Sequence, residues 1–374
     1  MKIKRKKLMT TIFIVIGLII VDTLIFLQHP LFGKEPTGDR LERIKNSKHY
    51  KNGQFQNLSH TPAIPEGVTY WSIMKELAFS KIEHTKPTDS IPCVKTNLLE
   101  KTIEDDFMVW FGHSSYYMKI DGQSFLIDPV LSKNASPLYG TNNAFMGADV
   151  FTCEALPEID VLILTHDHYD HLDYSSFKNI KDKVSKIICP LGVGEHLEYW
   201  GFPKDNITEL DWYEDASVSD SIKITATPAR HFSGRGFKRN TTLWASYVLQ
   251  TKNLKFYLGG DSGYDMHFKE IGTKYGPFDL AILENGQYDK KWKYIHMMPE
   301  EVVQASNDLQ AKRFFPVHSS KFKLANHPWK EPLERVSIAS TKQTSSQLIT
   351  PKIGEVIYLN QQDQVFEKWW EQVN

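Results

Sequence analysis

Short apolar runs separated by turn residues recur along this chain from Asp106 onward, and their length predicts strands. The first three predicted strands cover Phe107 to Phe111, Tyr116 to Ile120 and Ser124 to Ile127. Asp121-Gly122 joins the last two, a dipeptide that favours a two-residue hairpin turn. A fourth run, Ile159 to Leu164, is rich in β-branched residues and short enough for a buried strand. Later runs end at His231, Asp261 and His318. Helical segments follow several strands. One is predicted over Pro299 to Leu309, where Pro299 suits the first turn and Glu300 and Glu301 favour its positive end. Residues 28 to 100 are poor in strand pattern and rich in polar residues and proline. They read as a linker that wraps the domain, with short helices at Gly38 to Ile44 and near Ser72 to Phe79.

The N-terminal pattern is different. Lys2, Lys4, Arg5, Lys6 and Lys7 form a basic head, and Met9 to Leu27 follows with Asp22 as its one strongly polar residue. That length is near the roughly 20 residues a helix needs to cross a bilayer. The residues at its C-terminal end, Thr23 to Gln28, are too bulky for a small-x-small cleavage site. The expectation is an uncleaved single-pass anchor over 9–27 with residues 1–8 cytoplasmic; the alternative is a cleaved signal peptide. A hydrolase domain over 101–374 would then lie outside the cytoplasm, periplasmic or extracellular.

Composition narrows the class. Hydrophobic residues make up 41% of the 374, enough for a sizeable core. A net charge of −1 offers no electrostatic case for nucleic acid as a partner. The three cysteines, Cys93, Cys153 and Cys189, form no metal-binding pair, and their odd number excludes a fully paired intrachain set.

The chemistry is concentrated in His166-Asp167-His168-Tyr169-Asp170-His171, directly after the Ile159–Leu164 run. Four ligand-type side chains, His166, His168, Asp170 and His171, share one turn. Buried together without an ion they would repel or leave polarity uncompensated. Imidazoles and carboxylates at this density suit zinc or another borderline divalent ion. One such turn can seed a two-metal site, with ions roughly 3.5–4 Å apart. Six residues cannot surround two ions, so His231, Asp261 and His318, each at a strand end, are the candidates to complete the set. Gly259-Gly260 before Asp261 permits a tight backbone there.

These residues resemble the metallo-β-lactamase superfamily and, within it, the N-acylphosphatidylethanolamine-hydrolysing phospholipase D family with its bacterial relatives. The resemblance rests on Trp110 to Ser115, Leu126 to Val130, Leu164 to Asp173, Glu209 to Trp212, Gly260 to Tyr264, Gly276 to Leu280, His296 with Pro299 to Glu301, and Lys321 to Asn326. It covers roughly residues 100 to 340. It implies an α/β fold: a sandwich of two mixed β-sheets with outer helices, preceded here by the transmembrane helix. It implies two zinc ions per chain, one held by His166, His168 and His231, the other by Asp170, His171 and His318, with Asp261 bridging. Asp261, His296 and Asp128 would be catalytic, and His113 and Tyr288 would contact substrate. Asp128 and His113 are also candidates to hold the free ring N–H of a metal histidine. The implied reaction is phospholipase D-type hydrolysis of a membrane phosphodiester by a hydroxide shared between the ions. The alternative is a two-zinc hydrolase of a soluble small molecule, such as a lactone or a phosphorylated sugar-acid lactone. One departure is visible: relatives carry Trp-Gly after the last metal histidine, whereas Ser319-Ser320 follow His318 here.

Overall fold

The computed structural model describes residues 2–62, 65–79, 82–100 and 106–374. The expected domain start at residue 101, and Met1 of the basic head, lie outside the described residues. Helix α1 (Lys2–Phe26) is followed by α2 (Gly38–Asn46), the hairpin β1 (Tyr50–Lys51) and β2 (Gln54–Phe55), and α3 (Tyr70–Phe79). Two seven-stranded sheets follow. The first contains β3 (Phe107–Trp110), β4 (Tyr116–Ile120), β5 (Gln123–Ile127), β6 (Ile159–Ile163), β7 (Val184–Pro190) and β8 (Ile207–Leu210), with α4 (Tyr174–Ile180) and α5 (Gly194–Tyr199) between strands. The second contains β9 (Asp215–Ser217), β10 (Lys223–Thr227), β11 (Ser246–Gln250), β12 (Lys255–Leu258), β13 (Leu280–Glu284), β14 (Arg313–Val317) and β15 (Gln347–Leu348). Helices α6 (His267–Tyr275), α7 (Pro299–Asp308) and α8 (Glu331–Gln343) accompany it, and β16 (Val356–Tyr358) returns to the edge of the first sheet.

Both sheets are mixed. In the first, β16, β3, β4 and β5 pair antiparallel, then β5 to β8 run parallel. In the second, β9 to β12 pair antiparallel, then β12 to β15 run parallel. The turn between β4 and β5 places both Asp121 (φ 49°) and Gly122 (φ 76°) in the left-handed region, as a type I′ hairpin requires.

The strand side chains explain the layering. In β13, Leu280 and Ile282 join the core between the sheets, while Ala281 and Leu283 face a second core under the helices. Strands β12 and β14 divide the same way: Leu258 and Phe315 point to the first core, Tyr257 and Phe314 to the second. Burial on both faces is why these strands read as continuous apolar runs rather than alternating ones. The second core is closed by Phe268 and Ile271 of α6, Val302 and Val303 of α7, and Val336 of α8. Trp110 of β3 meets Phe315 of β14 edge-on at 5.4 Å, joining the sheets close to the site. The fold is the expected sandwich of two mixed sheets flanked by helices, with one exposed apolar helix ahead of it.

The segment after α1 is held against this sandwich. Arg40 on α2 donates to Glu195 and Glu209 at 2.6 Å each, and also to Glu198. Asn57 exchanges two hydrogen bonds with the backbone of His231 (2.8 and 3.0 Å). Val94 N–H donates to Ile353 at 2.8 Å.

Candidate metal centre

Strand direction gathers the candidate ligands. Strands β3, β5 and β6 of one sheet and β10, β12, β13 and β14 of the other all end at the same edge of the sandwich. The turn after β6 supplies His166, His168, Asp170 and His171. The ends of β10, β12 and β14 supply His231, Asp261 and His318, and the β3–β4 loop supplies His113.

Two groups form. His166, His168 and His231 offer one ligand atom each within 4.8 Å of one another, and so do His113, Asp170, His171 and His318. In the first group, His168 Nδ1 lies 2.9 Å from His166 Nε2 and 3.2 Å from His231 Nε2. In the second, Asp170 Oδ2 lies 3.7 Å from His171 Nε2 and 3.9 Å from His318 Nε2. Asp261 stands between them with its oxygens divided. Oδ1 is 3.2 Å from both His171 Nε2 and His318 Nδ1, and Oδ2 is 3.8 Å from His166 Nε2 and 3.7 Å from His231 Nε2.

The residues fit divalent ions. His171 Nε2 and Asp261 Oδ1 are buried without a hydrogen-bond partner, as ligand atoms aimed at a cation would be. Burial, and then the neighbouring imidazoles, hold His166 well below the usual histidine range, and burial also lowers His168, His231 and His318. Those four are therefore neutral, the form that binds metal. Burial opposes a charge on His171 too, but Asp261, Asp170 and Asp128 outweigh it and raise this group well above the ordinary value. Three buried carboxylates converging on one imidazole mark a point that calls for positive charge.

Supporting contacts orient the ligands. Asp128 Oδ2 lies 2.7 Å from His171 Nδ1, and its carboxylate accepts from Thr165 N–H (2.9 Å) and Thr165 Oγ1–H (2.6 Å). Thr165 Oγ1 also lies 3.0 Å from His166 Nδ1, so one hydroxyl links both groups. The carbonyl of Ile295 faces His231 Nδ1 at 2.9 Å. Such partners fix the tautomer and direction of a ligating ring. Gly260 (φ 59°) runs so close to Thr165 that an added Cβ would meet its Cβ at 2.7 Å. His113 and His318, both at positive φ (55° and 66°), are tied together by His318 N–H donating to His113 O (2.9 Å) and His113 N–H donating to Ser319 O (3.0 Å). This short bridge stitches the two sheets at the site. Strained backbone of this kind persists where surrounding contacts over-determine it.

The remaining sequence candidates separate. His113 is fully buried, with Nε2 2.9 Å from Asp170 Oδ2, so it touches a candidate ligand. His296 lies edge-on to His231 at 5.1 Å and stacks on His318 at 5.4 Å. Tyr288 stands apart. It lines a cavity of about 460 Å³ with Met298, His327 and Arg335, and its hydroxyl donates to Glu331 at 2.6 Å. Ser319 and Ser320 are both buried, their hydroxyls 3.1 Å apart.

Sequence reasoning missed Glu284, Ser114 and Arg235. Glu284 ends β13 fully buried, 3.4 Å from His296 Nδ1, and burial pushes it up to about 7. Its signal was available: a carboxylate closing an apolar strand, as near Asp261. Ser114 Oγ lies 2.9 Å from His318 Nδ1. Arg235 is buried and donates to the carbonyls of Asp167 (2.8 Å) and Leu172 (2.7 Å), bracketing the ligand turn. Asp167 anchors that turn from inside, accepting from Gly234 N–H (2.7 Å) and Thr242 Oγ1–H (2.8 Å).

The chain resembles known proteins. The family model described as "Beta-lactamase superfamily domain" matches residues 123–319. The chain is 38% identical over 300 residues to the "Uncharacterized protein Rv0906" of Mycobacterium tuberculosis, covering 79% of this chain and 80% of that one. It is 27% identical over 337 residues to the "N-acyl-phosphatidylethanolamine-hydrolyzing phospholipase D 1" of Caenorhabditis elegans, covering 84% and 93%. Among solved structures, the isothiocyanate hydrolase from Delia radicum gut bacteria shares the fold, with a TM-score of 0.54 and 19% identity over 67% of this chain and 98% of that chain. The matched segment spans more than half of the sequence and runs from β5 to one residue past His318, so it holds every candidate ligand from His166 to His318. The chain belongs to the metallo-β-lactamase superfamily.

Proposed function

We propose that this metal-dependent hydrolase cleaves the phosphodiester of N-acylated phosphatidylethanolamine-like lipids in a phospholipase D sense. The observation that carries the lipid reading is the position of the ligand turn. Tyr169 and Asp173, which flank Asp170 and His171, line one cavity with Phe26 and His29 at the foot of the exposed apolar helix. A substrate delivered along a bilayer would arrive beside the turn that carries four of the candidate ligands. The near full-length likeness to a worm phospholipase D supports the same substrate class.

Two zinc ions fit the donor set of five imidazoles and two carboxylates. When bound, they would supply Lewis-acid charge and an activated water near neutral pH. His166, His168 and His231 would hold one ion, and Asp170, His171 and His318 the other. Asp261, with one oxygen toward each group, would set their separation. Asp128 would hold His171 with Nε2 free, and His113 would hold Asp170. In the reaction, water adds to phosphorus and the P–O bond to the N-acylethanolamine breaks, leaving phosphatidic acid. His296, backed by Glu284, is placed to hold or pass a proton beside His231 and His318.

The test is zinc-replete protein incubated with N-acylphosphatidylethanolamine vesicles and, separately, a panel of lactones. Release of N-acylethanolamine with matching phosphatidic acid is expected. Turnover of a lactone alone would overturn the lipid reading in favour of a soluble ester.

A further inference from the structure

Helix α1 is not joined to the domain by a free linker. Phe26, at its end, meets Phe32 edge-on at 5.1 Å, and Phe32 meets Tyr169 at 6.3 Å. The next residues are already docked. Trp200 Nε1–H donates to Pro30 O at 2.8 Å, Arg235 donates twice to Leu31 O (3.0 and 2.6 Å), and Lys34 N–H donates to His196 Nδ1 at 2.9 Å. His29 lies edge-on to Tyr174 at 5.9 Å. The foot of the helix is thus packed into the domain. Residues 6–26 of α1 form a 21-residue stretch of high mean hydropathy with none of its apolar window buried in the protein, long enough for a bilayer core of about 30 Å. If that stretch lies in hydrocarbon, the docked foot determines which face of the domain meets the leaflet.

That face has the composition of an interface. A cavity of about 470 Å³ opens beside the foot of α1, lined mainly by apolar surface from Phe26, Leu31, Leu138, Tyr139 and Tyr174. On its rim Tyr139 is 97% exposed, Leu138 is 55% exposed and the Lys133 side chain is 84% exposed. A tyrosine with an apolar body and polar tip, an aliphatic neighbour and a lysine that can snorkel are the residues favoured at the headgroup level.

We propose that the 132–141 loop and the foot of α1 form one bilayer-docking face, and that phospholipid headgroups and the first methylenes of the adjoining leaflet occupy the cavity between them. The proposal rests on reading α1 as a retained anchor. It adds a fixed orientation in which the ligand turn faces the leaflet.

The experiment uses the full chain in nanodiscs of mixed phosphatidylcholine and phosphatidylglycerol. A photo-crosslinking residue, p-benzoylphenylalanine, is placed singly at positions 16, 139 and 365. Ile16 lies inside the apolar helix, and Val365 is 85% exposed on the β16 side of the first sheet. Lipid adducts are read by mass spectrometry. Adducts from positions 16 and 139, with none above background from 365, are expected. Adducts from 16 but no more from 139 than from 365 would overturn the docking face and leave the anchor standing. No adducts from 16 would remove the anchor, and the face with it. As a second readout, the double variant Leu138→Ser, Tyr139→Ser should turn over vesicle-borne lipid several-fold more slowly than the parent chain. Its rate on a short-chain soluble phosphodiester should be unchanged, whereas equal loss on both would mean a structural defect and count against the face.

Discussion

At the scale of single residues, Asp261 is the group on which the two histidine groups depend. Each of its oxygens faces a different group, so on the proposed ligand set shortening the side chain would remove a shared ligand. Asp261→Ala is expected to bind less than two equivalents of zinc by elemental analysis and to lose turnover almost completely. Asp128→Asn keeps the ligands but weakens the hold on His171, and partners of this kind are typically worth about 10–100-fold in metal affinity or activity. Full zinc occupancy and near-normal rates in the Asp261 variant would refute its shared role. A second residue links structure to pH. His267 is buried beside Ser262 (3.2 Å), and burial lowers it to about 4. Its folded value lies below the unfolded one, near 6.5. The unfolded chain therefore binds more protons between these values, so stability falls as pH drops from about 6.5 toward 4. In urea unfolding at pH 7 and pH 4.5, His267→Asn should lose less stability on acidification than the parent chain. An identical loss in both would assign the acid sensitivity elsewhere.

At the scale of elements, the ligand turn after β6 is clamped from both sides. Asp167 holds it from within, and Arg235 ties its two ends to Leu31 in the segment below α1. Residues 28 to 33 therefore brace the site, a role that a linker pattern does not reveal. A chain starting at residue 28 keeps these contacts, and one starting at residue 38 loses the Leu31 and Pro30 acceptors. Hydrogen bonds from a charged donor contribute about 1.5–3 kcal/mol each. The shorter chain should melt several degrees lower and bind zinc more weakly. Equal melting temperatures and zinc affinities would show that the brace is dispensable. The contrast explains what could be read from sequence. Strand runs such as Ile159–Ile163 and the clustered ligands after them are local patterns, and they were legible. So was the hairpin at Asp121-Gly122, because two residues determine its turn. Arg235, Asn57 and Ser114 act through contacts between segments far apart in the chain, so nothing near them in sequence marks their part. Glu284 carried a mark, an acid closing an apolar strand, but a strand end alone does not say which edge it shares.

At the scale of the whole molecule, the foot of the apolar helix and the ligand turn line one cavity, and on the proposed function encounter with substrate should depend on both. A chain starting at residue 28 should keep its rate on a short-chain soluble phosphodiester and lose rate on vesicles. Equal loss on both would mean that α1 supports the fold rather than delivery. The short bridge between His113 and Ser319 carries one more consequence. It closes the two sheets around ligands drawn from both, the earliest at residue 166 and the last at residue 318. During synthesis, no complete site can exist until the second sheet has emerged and docked on the first. Metal loading is therefore a late event in the life of the chain. Whatever ion these residues hold would then be drawn from the compartment in which folding finishes, not from the one in which translation begins.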